Sequence, residues 1–221
     1  DTLIGDVGGD LIEGGAGADT LKGGGGEDHL VGGGLADILS GGVGDDVLLG
    51  NKGDDWLNGG GDDDLVLGGP GSDNMQGAGG IDAVSFEFAA GGVNANLGLG
   101  TATGEGTDVL TGFVHLIGSK HADTLIGHGG DNIIFGLGGP DTIESRLGED
   151  VVYAGPGNDL VRGGGDDDLH IGGLGHDTLN GYAGDDLIDG ESGNDTINGG
   201  AGFDAATFPF PPGQVHASLT T

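Results

Sequence analysis

Large apolar residues recur at every ninth position along most of this chain. Between residues 5 and 85 they are Ile12, Leu21, Leu30, Leu39, Leu48, Leu57, Val66, Met75 and Val84. Two residues before each stands an aspartate: Asp10, Asp19, Asp28, Asp37, Asp46, Asp55, Asp64, Asp73 and Asp82. Glycine opens every unit, as in GGAGADTLK at 14–22 and GGVGDDVLL at 41–49. A second register of ten units covers 118–207, with Asp123, Asp141, Asp150, Asp159, Asp168, Asp177, Asp186, Asp195 and Asp204 at the sixth position and Asn132 replacing the remaining one. A period held this long marks a solenoid of short repeated turns.

Side chains alternate along a strand, so the triplet centred on the apolar residue predicts a three-residue strand with that residue pointing inward. The six residues GGxGxD are then left to reverse the chain, which asks for positive-φ backbone that glycine adopts without strain. Turns stacked about 4.8 Å apart would bring the aspartates of successive loops into columns.

Composition changes this picture in two ways. With 58 glycines and 6 prolines the chain would read as disordered without its period. The 37 acidic against 5 basic residues give a net charge of −32, a field that repels nucleic acid and anionic membranes. Thirty of the acids are Asp, the short carboxylate that suits turns and hard-cation sites. Stacked like charges are unfavourable unless a cation lies between them, and calcium, with six to eight oxygen ligands in tolerant geometry, meets that need. The chain has no cysteine, so disulfides and thiolate metal sites are excluded. No apolar run approaches the roughly 20 residues that span a bilayer, so no membrane insertion is expected, and an export signal, if one is used, lies elsewhere.

The unit GGxGxDxUx, with U a large apolar residue, resembles the calcium-binding RTX, or hemolysin-type, repeat. That resemblance implies an all-β fold: a parallel β-roll, a β-helix-like solenoid with two nonapeptides per 18-residue turn and calcium between neighbouring turns. It also implies type I secretion. Aspartates 18 residues apart, such as Asp10 and Asp28, then define seven sites in the first array and eight in the second, one of them weakened by Asn132. Up to about fifteen calcium ions would carry about +30, nearly cancelling the chain's charge, so folding without metal is not expected.

Four segments follow: a first calcium-binding array at 1–85, a β-rich spacer at 86–117, a second array at 118–207, and the truncated start of a second spacer at 208–221. In the spacer, the alternation at Phe86/Phe88 and at Val93/Ala95/Leu97/Leu99 predicts longer strands. A longer repeat is superimposed: DTLIG at 1–5 recurs at 123–127, and 77–99 aligns on 199–221, pairing Phe86 with Phe208, Phe88 with Phe210, Val93 with Val215 and Leu97 with Leu219. The chain is expected to be an excerpt of a tandem polymer of this 122-residue module.

Some positions depart from the pattern. Leu35, Asp62, His121 and Asp166 replace the fourth-position glycine and predict mildly strained turns. His170 takes an inward position, read as a neutral, hydrogen-bonded core histidine or a bulge turning it outward. His115, His121 and His128 match no common zinc spacing. No HExxH, GxxxxGK[ST] or GxSxG motif occurs, so no enzyme is expected.

The outward positions differ between the two sheets. One sheet carries Val47, Leu49, Leu65 and Leu67 in the first array and Phe135, Val151, Tyr153 and Ile171 in the second. These residues are expected to form a contact face, buried against the spacer, the other array or a second chain. The other sheet carries Lys22, Asn58, Gln76, Glu144, Arg162, Asn180 and Asn198 and should stay solvated. The reading that results is a calcium-binding structural module of a secreted or cell-surface protein (an adhesin, surface layer or filament). Its expected partners are neighbouring modules or identical chains. The alternative is a C-terminal export and folding module of a type I-secreted hydrolase or toxin. Ice binding, suggested by Thr124, Thr142, Thr178 and Thr196, is interrupted by Glu144 and Arg162.

Overall fold

The inward apolar residues stack in columns with an 18-residue step, because each strand pairs in parallel with the strand two nonapeptides away: Leu21 with Leu39, Leu39 with Leu57, Leu57 with Met75. The computed structural model describes residues 1–207 and 216–218 and contains only strands and turns there. The aligned segment at 208–215 and 219–221, with Phe208, Phe210, Val215 and Leu219, lies outside the described residues.

The chain packs into two compact units, Asp1–Ala90 with Leu99–His115, and Gly91–Gly98 with Leu116–Thr221. Each is a parallel β-roll with two sheets and one 18-residue turn per pair of strands. In the first unit one sheet orders Thr2–Ile4, Thr20–Gly25, Ile38–Val43, Trp56–Gly61, Asn74–Gly79, Thr107–Thr111 and Thr101–Thr103; the other orders Leu11–Ala16, His29–Gly34, Val47–Lys52, Leu65–Leu67 and Asp82–Ser85. In the second unit the sheets run from Asn94–Asn96 through Thr142–Leu147 to Thr196–Ala201, and from Ile133–Phe135 through Leu169–Gly175 to Ala205–Thr207. Thr101–Thr103 and Thr107–Thr111 form an antiparallel hairpin at the end of the first unit's first sheet.

Between the sheets of the first unit, Leu21, Leu30, Leu39, Leu48, Leu57, Val66 and Met75 are fully buried. In the second, Leu125, Ile134, Ile143, Val152, Val161, Leu179 and Ile188 are likewise. Each such side chain contributes roughly 1.5–3 kcal/mol through its burial.

Two expectations are corrected. Twelve of the 26 strands among the described residues are six residues long, not three, because in them ladder pairing continues through the first three positions of the next unit, as at Gly15 with Gly33 and Ala16 with Gly34. The reversal is therefore confined to the few residues around the fourth and fifth positions. In the spacer, residues 87–88 form a turn closed by Ala89 N–H donating to Phe86 C=O at 2.9 Å, and of the 93–99 stretch only Asn94–Asn96 is a strand. The alternation there reflects burial of Val93 and Ala95 in a short segment, not a long strand.

Positive φ falls on the second and fourth positions of the units, as at Gly24 (122°) and Gly26 (117°). At Gly42 an added Cβ would also collide with the backbone carbonyl oxygen of Gly24 in the preceding turn. Leu35, Asp62 and Asp166 sit at φ 74°, as the strained-turn reading requires, whereas His121 is not among the positive-φ residues. Asp62 and Asp166 are compensated, since their carboxylates accept hydrogen bonds from Gly44 N–H (3.1 Å) and Gly148 N–H (3.2 Å) one turn back. Second-position departures that the sequence reading passed over are strained in the same way: Asn51, Ala78, Leu137, Arg146, Tyr182 and Glu191.

Candidate metal centre

Each sixth-position aspartate is placed at the entry to a strand, facing the roll interior, with its main chain tied on both sides. Its carbonyl accepts the seventh-position N–H of the following turn, as in His29 N–H to Asp10 at 2.8 Å. Its N–H donates to the Oδ1 of the aspartate 18 residues on. This bond runs along the first unit from Asp10–Asp28 (2.8 Å) through Asp37–Asp55 (2.7 Å) to Asp64–Asp82 (2.9 Å). In the second it runs from Asp123–Asp141 (2.8 Å) through Asp150–Asp168 (3.0 Å) to Asp186–Asp204 (3.2 Å). The 18-residue columns read from the sequence are thus physical neighbours.

The second carboxylate oxygen is left over. Oδ2 is buried without a hydrogen-bond partner in Asp19, Asp28, Asp37, Asp46, Asp55, Asp64, Asp73, Asp82, Asp141, Asp150, Asp159, Asp168, Asp177, Asp186, Asp195 and Asp204. In most of these units it lies over the unit's own first-position glycine, often beside the carbonyl oxygen of the first-position glycine one turn on. A Cβ at Gly14 would stand 2.9 Å from Asp19 Oδ2 and 2.7 Å from Gly32 O; one at Gly172 would stand 2.7 Å from Asp177 Oδ2 and 3.0 Å from Gly190 O. A first-position Cβ crowds this oxygen-lined cradle, and the second array admits only the small, buried Ser145 and Ala154 there in place of glycine.

An anionic oxygen buried without a partner is strongly disfavoured. Burial accordingly pushes these carboxyls up: Asp46 and Asp55 to about 6, Asp64 and Asp73 to about 7, Asp141 and Asp168 to about 8, with the neighbouring Asp N–H bond partly offsetting the rise. The donors are all hard oxygens, one charged and the others peptide carbonyls, which fits calcium and gives no purchase to thiophilic metals. Among the described residues no three His, Asp or Glu side chains converge. A cation here would therefore draw on backbone carbonyls as well as aspartate.

Three predicted ligands stand apart. Asp123 is satisfied without a cation: Ser119 donates its N–H to Oδ2 at 2.6 Å and its Oγ–H to Oδ1 at 2.8 Å, and Val93 N–H adds 2.8 Å to Oδ1. Asp10 Oδ2 accepts Asp6 N–H at 3.0 Å. Asn132 keeps its place in the column through Asp150 but turns its Oδ1 to His128 N–H at 2.9 Å.

The sequence reading missed Asp108, which is buried, raised to about 6 by burial, and continues a first-unit column by accepting Asp73 N–H at 3.1 Å. The signal was present as TGEGTDVLT at 103–111, an unrecognised nonapeptide displaced from the nine-residue register. Also missed was an outer ladder of fifth-position side chains, in which Asp45 accepts Asp63 N–H (3.0 Å), Asp63 accepts Ile81 N–H (2.8 Å) and Asp167 accepts Asp185 N–H (2.7 Å). His170 is inward and fully buried, but neither ring nitrogen has a hydrogen-bond partner, which corrects the reading of a hydrogen-bonded or outward-turned histidine; burial pushes its pKa down to about 4.

The contact-face residues are half-buried rather than sequestered, apart from Leu67, which is buried, and Tyr153, which is 37% exposed. Leu49 and Leu67 line an apolar pocket with Phe86, Phe88 and Glu105 of the spacer. Phe135 and Tyr153, paired in register, stack with centroids 5.0 Å apart.

The chain matches the family model described as RTX calcium-binding nonapeptide repeat (4 copies) at 4–39, 31–66, 40–75, 49–84, 115–143, 136–169 and 171–205, more than three quarters of its length. No curated protein matches it.

Proposed function

The chain belongs to the RTX calcium-binding nonapeptide repeat family, and from that premise we propose that it serves as a structural module of a secreted or cell-surface protein, folded by calcium outside the cell. The observation that carries this reading is the row of buried, unpartnered aspartate oxygens over first-position glycines. Without a cation, burying so many carboxylates in a chain of charge −32 opposes the roll. With one, each turn is cross-linked to the next and the binding free energy becomes folding free energy. Millimolar calcium, the range that extracellular modules are tuned to, would thus fold a chain that stays unfolded at cytosolic calcium.

Circular dichroism of the chain in chelator should show loss of nearly all β signal, recovered at millimolar calcium. A β-rich spectrum indifferent to chelator would refute the reading.

The half-buried Val47, Leu49 and Leu65 in the first unit, and Phe135, Val151 and Ile171 with the exposed Tyr153 in the second, are our candidate surfaces for neighbouring modules or identical chains. Covering a few hundred Å² of either at about 25 cal/mol per Å² would supply several kcal/mol before association costs. Light scattering of calcium-loaded Leu49→Lys and Val151→Lys variants should show reduced assembly; unchanged assembly in both removes these surfaces from consideration.

A further inference from the structure

The chain has two arginines among its five basic residues, and both line one open pocket on the first sheet of the second unit, with Glu144, Gly163, Gly164 and Tyr182. The strand register explains how it is built. Arg146, Gly164 and Tyr182 are direct neighbours in three successive strands, and Glu144 and Arg162 are neighbours in the row beside them. Arg146 and Tyr182 are therefore two strand spacings apart, about 10 Å, with a glycine between them. The missing side chain of Gly164 is the floor; a guanidinium and a phenol ring are the two walls.

Both wall residues occupy the second position of their units, where the backbone is left-handed. Arg146 has φ 88° and Tyr182 φ 80°, conformations that bulky residues adopt only under strain and that glycine holds freely at Gly164 (135°). Asn51, Ala78, Leu137 and Glu191 share that strain, and what sets Arg146 and Tyr182 apart is that they flank one glycine, Gly164, in register, with Arg162 in the row beside them.

The donors on offer are specific. Arg146 is held: its Nη1 lies against Gly98 and its Nε stands 3.9 Å from Glu144 Oε1. Arg162 has no acidic partner within ion-pair distance among the described residues, although the chain carries 37 acids. Tyr182 is 48% exposed and lines the same pocket. A guanidinium without a carboxylate partner calls for a planar anion, which it binds bidentately. An exposed aromatic face beside it calls for a flat, weakly polar ring surface. Glu144, an acceptor, calls for hydroxyl donors.

We propose that this pocket binds a sugar ring bearing a carboxylate, a hexuronate unit, with the carboxylate on Arg162, the ring against Tyr182 over Gly164, and ring hydroxyls on Glu144. The roll is the scaffold and this pocket its recognition site. The proposal rests on the calcium-folded state only in that the chain must be folded, so binding is measured at saturating calcium with circular dichroism confirming the β-roll in every sample.

The probe is sodium glucuronate, followed by amide chemical shifts, with glucose, acetate and methyl sulfate as controls. Saturable shifts at Gly163 and Gly164 are expected, with glucuronate at least tenfold tighter than any control. Arg162→Gln should weaken glucuronate at least tenfold with the fold intact. Tyr182→Gly, which relieves the positive-φ strain, should raise the thermal midpoint while weakening binding at least fivefold. Should Tyr182→Gly fail to fold, Arg162→Gln decides. Absence of shifts, equal binding of methyl sulfate or acetate, which reduces the pocket to a bare anion site, or unchanged binding in folded variants overturns the proposal.

Discussion

The two units share one repeat but open their aspartate columns differently. In the first, sixth-position carboxylates run from Asp10 to Asp82 and on to Asp108, and all but the outermost Asp10 and Asp108 have a buried Oδ2 without a partner. The second opens on Asp123, whose oxygens are taken by Ser119 and Val93, and on Asn132, which carries no charge. It reaches the unpartnered state only from Asp141 onward. The same fold thus satisfies the same position in two ways. A neighbouring hydroxyl and N–H do for Asp123 what a cation would do for Asp64 in the function proposed above, where demand for calcium is set by what surrounds the aspartate.

The largest test of that contrast is a pair of charge-removing substitutions. Asp64→Asn keeps an oxygen for Asp46 N–H but loses the anionic Oδ2, and should destabilise the calcium-loaded form by on the order of 3 kcal/mol while lowering the number of ions bound. Asp123→Asn should leave the calcium isotherm where it is. Calcium titration by isothermal calorimetry distinguishes them, and equal losses would erase the distinction between the columns.

Acidity sharpens the same comparison. A carboxyl raised by burial to about 7 in Asp64, or to about 8 in Asp141 and Asp168, favours the metal-free roll in acid, and that contribution is lost as pH rises from about 4 through 7 to 8. Folding by calcium, however, starts from an unfolded chain whose carboxyls ionise near about 4 and ends with the same carboxyls ionised against the ion. The calcium midpoint for folding, followed by circular dichroism, should change little between pH 8 and pH 6 and rise steeply below about pH 5. A rise of about tenfold or more already between pH 8 and pH 6 would mean that calcium binds a roll that is folded and protonated beforehand.

The smallest effect concerns the cores. Every inward eighth position from Ile12 to Val84 is aliphatic or methionine, whereas the second unit interposes His170, paired with Val152 and Ile188 in its column. Its nitrogens are unpartnered, with Nε2 4.0 Å from Asp168 Oδ2. His170→Leu should raise stability by about 1–2 kcal/mol, read as a higher thermal midpoint in calcium, since it removes two buried polar atoms at similar volume. A lower midpoint would show that the imidazole has a partner in solution.

Sequence alone determined the nine-residue register, the inward apolar column, the identity of most candidate ligands and the preference for a hard cation. These follow from local rules: alternation along a strand, glycine's tolerance of positive φ, and charge in a fixed period. Only the tertiary structure decided which of those carboxylates are short of a partner, because that depends on residues one turn away. Ser119 reaches Asp123, Asp108 joins a column from outside the register, and fifth-position aspartates tie turns together laterally. The strands lengthened for the same reason, since ladder bonds to a neighbouring turn carried extended pairing through glycines that, read singly, belong to loops. In a solenoid each residue's nearest chemistry is 18 positions off, and the sequence states that chemistry only once the chain has stacked.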